Sequence, residues 1–220
     1  MAVPEGDSGL VDYYRRRAGE YEAIYARPER QHDLLILRKT IPERLAGGDV
    51  LEIACGTGYW TQAIAAAAKR VVATDIAEEP MHIAQAKTYP RGNVAFEAAD
   101  AYALPEALGQ FDAAFAGFWW SHVPRERIAD FLRSLHARLQ PGANVLLLDN
   151  VYVEGNSTAL AGIDAAGNTY QMRRLGDGTR VRVLKNFVSQ DELRERLEPY
   201  AAGFHYEALE YYWLAEYRAK

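Results

Sequence analysis

The stretch Val50-Leu51-Glu52-Ile53-Ala54-Cys55-Gly56-Thr57-Gly58-Tyr59-Trp60-Thr61 constrains this chain more than any other part of it. It begins as a short apolar strand, turns on Gly-Thr-Gly and continues as a helix. Gly56 and Gly58 have no Cβ, so the backbone can turn tightly there and approach a ligand closely. The N–H groups that open the next helix lack intrahelical partners and face the same space. Glu52 narrows the choice of ligand. A carboxylate at this point repels phosphate, so the turn suits a ligand with an amine or another cation beside a nucleoside.

Strand and helix patterns then alternate. Residues 71–75 form an apolar strand that ends in Asp75, roughly 20 residues after the turn, where an acid can take both ribose hydroxyls. The alternative for Asp75 is an ordinary helix cap. Residues 94–97 form a third strand, followed by Asp100 and Ala101. Residues 111–118 form a fourth, followed by Phe118-Trp119-Trp120-Ser121-His122-Val123-Pro124. Ligands of open α/β sheets lie beyond the carboxyl ends of the strands, so this loop belongs beside the ligand. Two adjacent tryptophans cannot point the same way; one packs and the other is free to face the site. Residues 124–139 carry an amphipathic helix with a stripe of Ile128, Phe131, Leu132, Leu135 and Leu139. Gln140-Pro141-Gly142 turns the chain into a fifth strand, 144–150.

This ordered set resembles the class I S-adenosylmethionine-dependent methyltransferases, whose first motif reads acidic-x-G-x-G-x-G. Here it reads Glu52-Ile53-Ala54-Cys55-Gly56-Thr57-Gly58, with Ala54 where the first glycine is usual. The resemblance covers residues 48–150 well and the ends loosely. It implies S-adenosyl-L-methionine as cofactor and S-adenosyl-L-homocysteine as product. It also implies a cofactor site of Tyr21, Glu52, Ala54, Gly56, Gly58, Asp75, Ile76, Asp100, Ala101 and Phe118. Asp100 would accept from the adenine amino group, and the next N–H would reach a ring nitrogen. The competing pattern is the dinucleotide loop G-x-G-x-x-G, but Thr61 stands where the third glycine should be. No Tyr-x-x-x-Lys pair follows in the second half, which disfavours an NAD(P)-dependent oxidoreductase.

Before this core, residues 1–9 are expected to be disordered, and residues 10–25 form a tyrosine-rich helix. Its stripe suits packing or, as Tyr14 and Tyr21 suggest by resemblance, a lid over the cofactor. Residues 31–45 form a second helix, with His32 near its start as a solvated or capping residue. Beyond residue 150 a long glycine-containing connection runs to 168. Two strands, 169–175 and 179–187, follow around Gly176-Asp177-Gly178, a hairpin signal. Ser189 caps a helix over 190–200, and residues 204–216 are β-rich. The expected architecture is one α/β domain over 1–220, a Rossmann-like three-layer sandwich. It has a mostly parallel seven-stranded sheet, helices on both faces and a C-terminal β-hairpin region. Residues 10–46 would be the lid, 48–150 the cofactor-binding core, and 151–220 the part that completes the sheet and the acceptor site.

Composition bounds the partners. The 220 residues carry a net charge of −5, with 49% hydrophobic and 25% charged residues. That gives no electrostatic footprint for nucleic acid. Neither a signal peptide nor a membrane-spanning run is apparent. The single cysteine, Cys55, reads as a small packed residue and fits a reducing, cytoplasmic compartment. No metal site is expected, and a homodimer is compatible with the pattern. The expected activity is methyl transfer to O, N or S of a small-molecule acceptor by in-line displacement. Other readings are an RNA or protein methyltransferase of the same fold, or a protein that binds the cofactor without catalysis. The first lacks an Asn-Pro-Pro-Tyr-type motif after strand four. His122 is the candidate base, its alternative being to shape the pocket. Tyr14, Trp119, Trp120, Asn150, Tyr152 and Tyr170 are the candidate acceptor contacts, four of them as an aromatic wall for a flat or hydrophobic molecule.

Overall fold

Side chains that alternate along each central strand build two cores at once. In the computed structural model, which describes residues 5–220 with side chains from Gly9 onward, β1 (Asp49–Ile53) sends Leu51 and Ile53 to one face and Val50 to the other. β5 (Leu139–Asn150) does the same with Val145 and Leu147 against Leu146 and Leu148. One face is covered by α5 (Ile128–His136) through Phe131, Leu132 and Leu135, and by α6 (Gln190–Leu197) through Leu193 and Leu197. The other is covered by α2 (Gln31–Arg44) through Leu34, Leu37 and Ile41, and by α3 (Tyr59–Ala67) through Trp60 and Ile64. The result is the expected three-layer sandwich.

Among the described residues seven strands form the main sheet. β2 (Arg70–Asp75), β3 (Val94–Ala98) and β4 (Phe111–Gly117) run parallel to β1 and β5. β9 (Ala201–Ala208) and β10 (Tyr212–Ala219) complete it as an antiparallel pair. The order is β3-β2-β1-β4-β5-β10-β9, so the direction of winding reverses between β1 and β4. α4 (Glu78–Gln85) links β2 towards β3. A second sheet joins β6 (Leu160–Ile163), β7 (Thr169–Arg174) and β8 (Arg180–Leu184), all antiparallel. Asn186 ties this sheet to the loop after β4: its amide donates to the Val123 carbonyl at 3.1 Å and its own N–H to that of Ser121 at 2.8 Å.

Several expectations are corrected. Of the segment 1–9, residues 1–4 lie outside the described residues, while residues 5–9 belong to α1 (Glu5–Arg17). The single helix expected over 10–25 is α1 followed by a tighter 3-10 helix, Ala18–Ala26; the change falls at Ala18-Gly19, where glycine lowers helix propensity. The helix expected from 124 starts as a 3-10 turn, Arg125–Arg127. The Gln140-Pro141-Gly142 turn lies inside β5 as an irregularity, because Leu139 already pairs with Phe111. The connection 151–168 holds β6, whose four residues are all exposed and so show no apolar alternation. The Ser189 cap is present, its hydroxyl accepting from the Glu192 N–H at 3.2 Å. Among the described residues, no helix is long and apolar enough to cross a membrane.

Candidate active site

The glycine turn sits at the carboxyl end of β1, beside the reversal of strand order. Gly56 and Gly58 have φ of +55° and +77°, and Gly58 is the N-cap of α3. A Cβ on Gly58 would come within 2.8 Å of the Ala84 Cβ and the Tyr89 hydroxyl, so no larger residue fits there. Two residues with side chains share the left-handed conformation: Ala54, φ +52°, and Phe118, φ +58°. Each costs about 1–2 kcal/mol. They end β1 and β4, the two strands flanking the reversal, and both line the cavity described next.

Asp75 closes the turn. Its two oxygens accept the N–H groups of Gly56 and Ala77, each at 2.8 Å. Burial pushes its pKa up, against those hydrogen bonds. A carboxylate keeps lone pairs beyond two such bonds. Glu52 lies beneath the turn, 2% exposed. Its Oε2 is buried without a partner. Burial pushes its pKa up to about 8, while Thr61 opposes the rise and Asp75 adds to it. An apolar cavity of about 90 Å³ opens here, lined by Ala54, Gly56, Asp75, Ile76, Phe118 and Trp119, and roofed by Leu10, Val11, Tyr14 and Tyr21.

A second cavity, about 240 Å³, adjoins it. Tyr14, Tyr21, Phe118 and His122 line both and form the shared wall. His122 is 4% exposed. Its Nδ1–H donates to the Leu184 carbonyl at 2.7 Å, since a carbonyl only accepts. Nε2 is therefore the acceptor for the Tyr14 hydroxyl at 2.7 Å. Burial holds the imidazole pKa well below its ordinary value, and Lys185 and Arg173 push the same way. Asn150 also lines the second cavity, with Lys185 beside it. The Lys185 ammonium donates to Ser121 Oγ at 2.6 Å, Asn150 Oδ1 at 2.9 Å and Asp149 Oδ1 at 3.0 Å.

Several candidate residues lie elsewhere. Glu52, Gly58, Asp100 and Ala101 do not line the cofactor cavity: Glu52 lies beneath the turn, Gly58 opens α3 behind it, Asp100 accepts the Tyr102 N–H at 2.9 Å as a turn cap, and Ala101 is buried in the core. Of the two tryptophans, Trp120 packs on Phe131, and Trp119 lines the cavity at the glycine turn, not the second one. Tyr152 stands one layer back, its ring against Phe187, which does line the second cavity. Tyr170 faces another groove, its hydroxyl donating to Asp164 at 2.8 Å and Arg182 over its ring. The four expected residues therefore do not form one wall. The second cavity is lined instead by other aromatic rings, among them Tyr13, Phe187 and Tyr212, together with Arg17, Arg30 and Arg173. Sequence reasoning missed Arg30 and Arg173. The available signal was the run of arginines on the 169–184 hairpin.

A nucleoside-type site at the reversal of a 3-2-1-4-5 parallel sheet, extended by an antiparallel pair, defines the class I methyltransferase fold. The sequence profile described as "Methyltransferase domain" matches residues 50–142. The DhpI structure in complex with SAH is 30% identical, covers 99% of this chain and 98% of its own, and superposes with a TM-score of 0.81. The DhpI-SAM-HEP complex is 29% identical over 99% and 100%, TM-score 0.75. SAM-bound CalS10, an amino pentose methyltransferase from Micromonospora echinaspora, shares the fold at 17% identity over 91% and 96%, TM-score 0.66. Demethylmenaquinone methyltransferases of Staphylococcus aureus are 32% identical over 106 residues, 47% of this chain and 43% of theirs. The matched stretch thus spans less than half of those curated relatives. The chain belongs to the class I S-adenosylmethionine-dependent methyltransferase family.

The residues present fit that cofactor. The glycine turn admits close approach, and Asp75 retains acceptor capacity for ribose hydroxyls.

Proposed function

We propose that this protein transfers a methyl group from S-adenosylmethionine to O, N or S of a small-molecule acceptor by in-line displacement. The observation that carries the reading is the shared wall of Tyr14, Tyr21, Phe118 and His122 between a cavity at the glycine turn and a separate polar one. The cofactor supplies the reactivity, a methyl group on a sulfonium that leaves readily. The chain supplies alignment of the acceptor across that wall. Its acceptor cavity of about 240 Å³ is below the roughly 300–1,000 Å³ of drug-sized sites, which favours a compact acceptor over an RNA or a protein.

His122 is the proposed base for an acceptor that still carries a proton. Its imidazole is neutral and its unprotonated Nε2 points at Tyr14, so a proton reaches it through the Tyr14 hydroxyl or after that hydroxyl moves aside. The test is to incubate the protein with S-adenosylmethionine and a panel of small acids, alcohols, amines and thiols. S-Adenosylhomocysteine release is read by mass spectrometry. Acceptor-dependent release is expected, lowered about 100-fold or more in His122→Gln if the nucleophile needs deprotonation. Tight S-adenosylhomocysteine binding with no release for any acceptor would overturn the enzymatic reading and leave a binding protein.

A further inference from the structure

The acceptor cavity is unlike the rest of the molecule in charge. The chain has 30 acidic and 25 basic residues. The cavity wall holds Arg17, Arg27, Arg30, Arg173, Arg174 and Lys185, and no aspartate or glutamate. Lys185 is answered from behind the wall by Asp149 at 3.0 Å. Arg17, Arg30 and Arg173 are not. Their hydrogen-bond partners among the described residues are neutral: the Tyr13 hydroxyl at 2.7 Å for Arg17, Asn156 Oδ1 at 3.0 Å for Arg30, and Gln171 Oε1 at 2.9 Å for Arg173. Arg30 Nε is buried with no partner at all.

Like charges gathered in one cavity raise the free energy until a counter-charge arrives. Their mutual influence is visible: after burial, Arg173 and Arg30 both disfavour the charged form of Lys185, and Lys185 and Arg173 both disfavour that of His122. The N–H groups that these guanidinium forks keep free match carboxylate and phosphoryl oxygens, for which arginine is better shaped than lysine. Gln171, Asn156 and the tyrosines hold the forks from their flanks, so the cationic wall is preorganised.

Resting on the reading of this cavity as the acceptor site, we infer that the acceptor is a small oxyanion, with a carboxylate or phosphoryl head held by Arg30, Arg173 and Arg17. An amine or a neutral lipid-like acceptor would leave the three guanidinium groups uncompensated. About 240 Å³ suits a small head group.

The test is calorimetric titration of the protein, with and without saturating S-adenosylhomocysteine, with four probes of matched length: ethyl phosphate, propionate, 1-propanol and propylamine. Ionic strength is held constant. At least one anion is expected to bind, with neither propanol nor propylamine doing so. Ethyl phosphate above propionate identifies a phosphoryl head, and the reverse identifies a carboxylate. Arg173→Gln and Arg30→Gln should each weaken the anion by roughly tenfold or more, while S-adenosylhomocysteine affinity stays within about twofold. Arg173→Lys keeps the charge without the fork. It should weaken the anion less than Arg173→Gln, and it stands in if the glutamine variant does not fold. Failure of both anions to bind, equal binding of propanol, or unchanged anion affinity in the arginine variants overturns the inference. Absence of S-adenosylhomocysteine binding beside intact anion binding would instead strike at the methyltransferase reading alone.

Discussion

Glu52 stands inside β1, with one oxygen unpartnered and its pKa pushed up to about 8 by burial. In the unfolded chain it ionises near its ordinary 4.5. From that pH upward the unfolded state sheds a proton that the folded state keeps, so the contribution to stability present at low pH is lost until about pH 8. The loss is of order 1 kcal/mol per pH unit. Glu52→Gln should therefore flatten the fall in urea stability between about pH 5 and pH 8, and should weaken S-adenosylhomocysteine roughly tenfold. Equal slopes in variant and wild type would contradict the assignment. At this scale the sequence was informative where chemistry is local. Glu52, Ala54, Gly56, Gly58 and Asp75 lie on one strand–turn–helix and its neighbouring strand end, and all gather at the turn. Asp100 was placed by position alone; a strand-end aspartate also serves as a turn cap, and here one of its oxygens accepts the Tyr102 N–H. The two tryptophans were assigned by adjacency, but core packing against Phe131 claimed Trp120.

α1 and the 3-10 helix after it are the elements expected to act as a lid. They roof the cofactor cavity with Leu10, Val11, Tyr14 and Tyr21, and what remains beneath is about 90 Å³. That is well below the roughly 300 Å³ or more that ligands of this size occupy, so entry requires the roof to move. Exposed pairs, Arg15 to Glu79 at 2.8 Å and Arg16 to Asp177 at 2.6 Å, tie it to the rest of the molecule, together with the Glu22–Lys87 ion pair, the Tyr14–His122 hydrogen bond and the buried rings of Tyr13 and Tyr25. Glu22 adds a contact to Thr57 in the turn itself, at 2.7 Å. Hydrogen exchange should show the amides of residues 10–26 opening readily without ligand and slowing about tenfold or more with S-adenosylhomocysteine. Unchanged exchange there would mean that the segment is fixed and not a lid. β1, β2 and β4 were legible because each is an apolar run followed by a helical stripe. β6 was not, because it is exposed throughout. β9 and β10 were seen as β-rich, but nothing local says that they extend the main sheet beside β5.

The whole molecule separates two environments across one wall. On the side of the glycine turn the cavity is apolar, with Asp75 at its edge and Glu52 below. On the other it is cationic, inside a chain of net charge −5. The first environment was readable because its residues are close in sequence. The second is assembled from segments around residues 17, 30, 122, 150, 173 and 185, which only the folded chain brings together. The candidate acceptor set therefore retained Tyr14 and Asn150 and missed the arginines. The reading of the second cavity as an acceptor site depends on the first holding S-adenosylmethionine. The most direct measurement is calorimetric titration of the protein with S-adenosylhomocysteine, with NAD and NADP run in parallel. Micromolar binding of S-adenosylhomocysteine alone is the expected result, lost by about 1–3 kcal/mol in Asp75→Ala. Binding of a nicotinamide dinucleotide, with S-adenosylhomocysteine inert, would contradict the roles given to Glu52 and the Gly56-x-Gly58 turn.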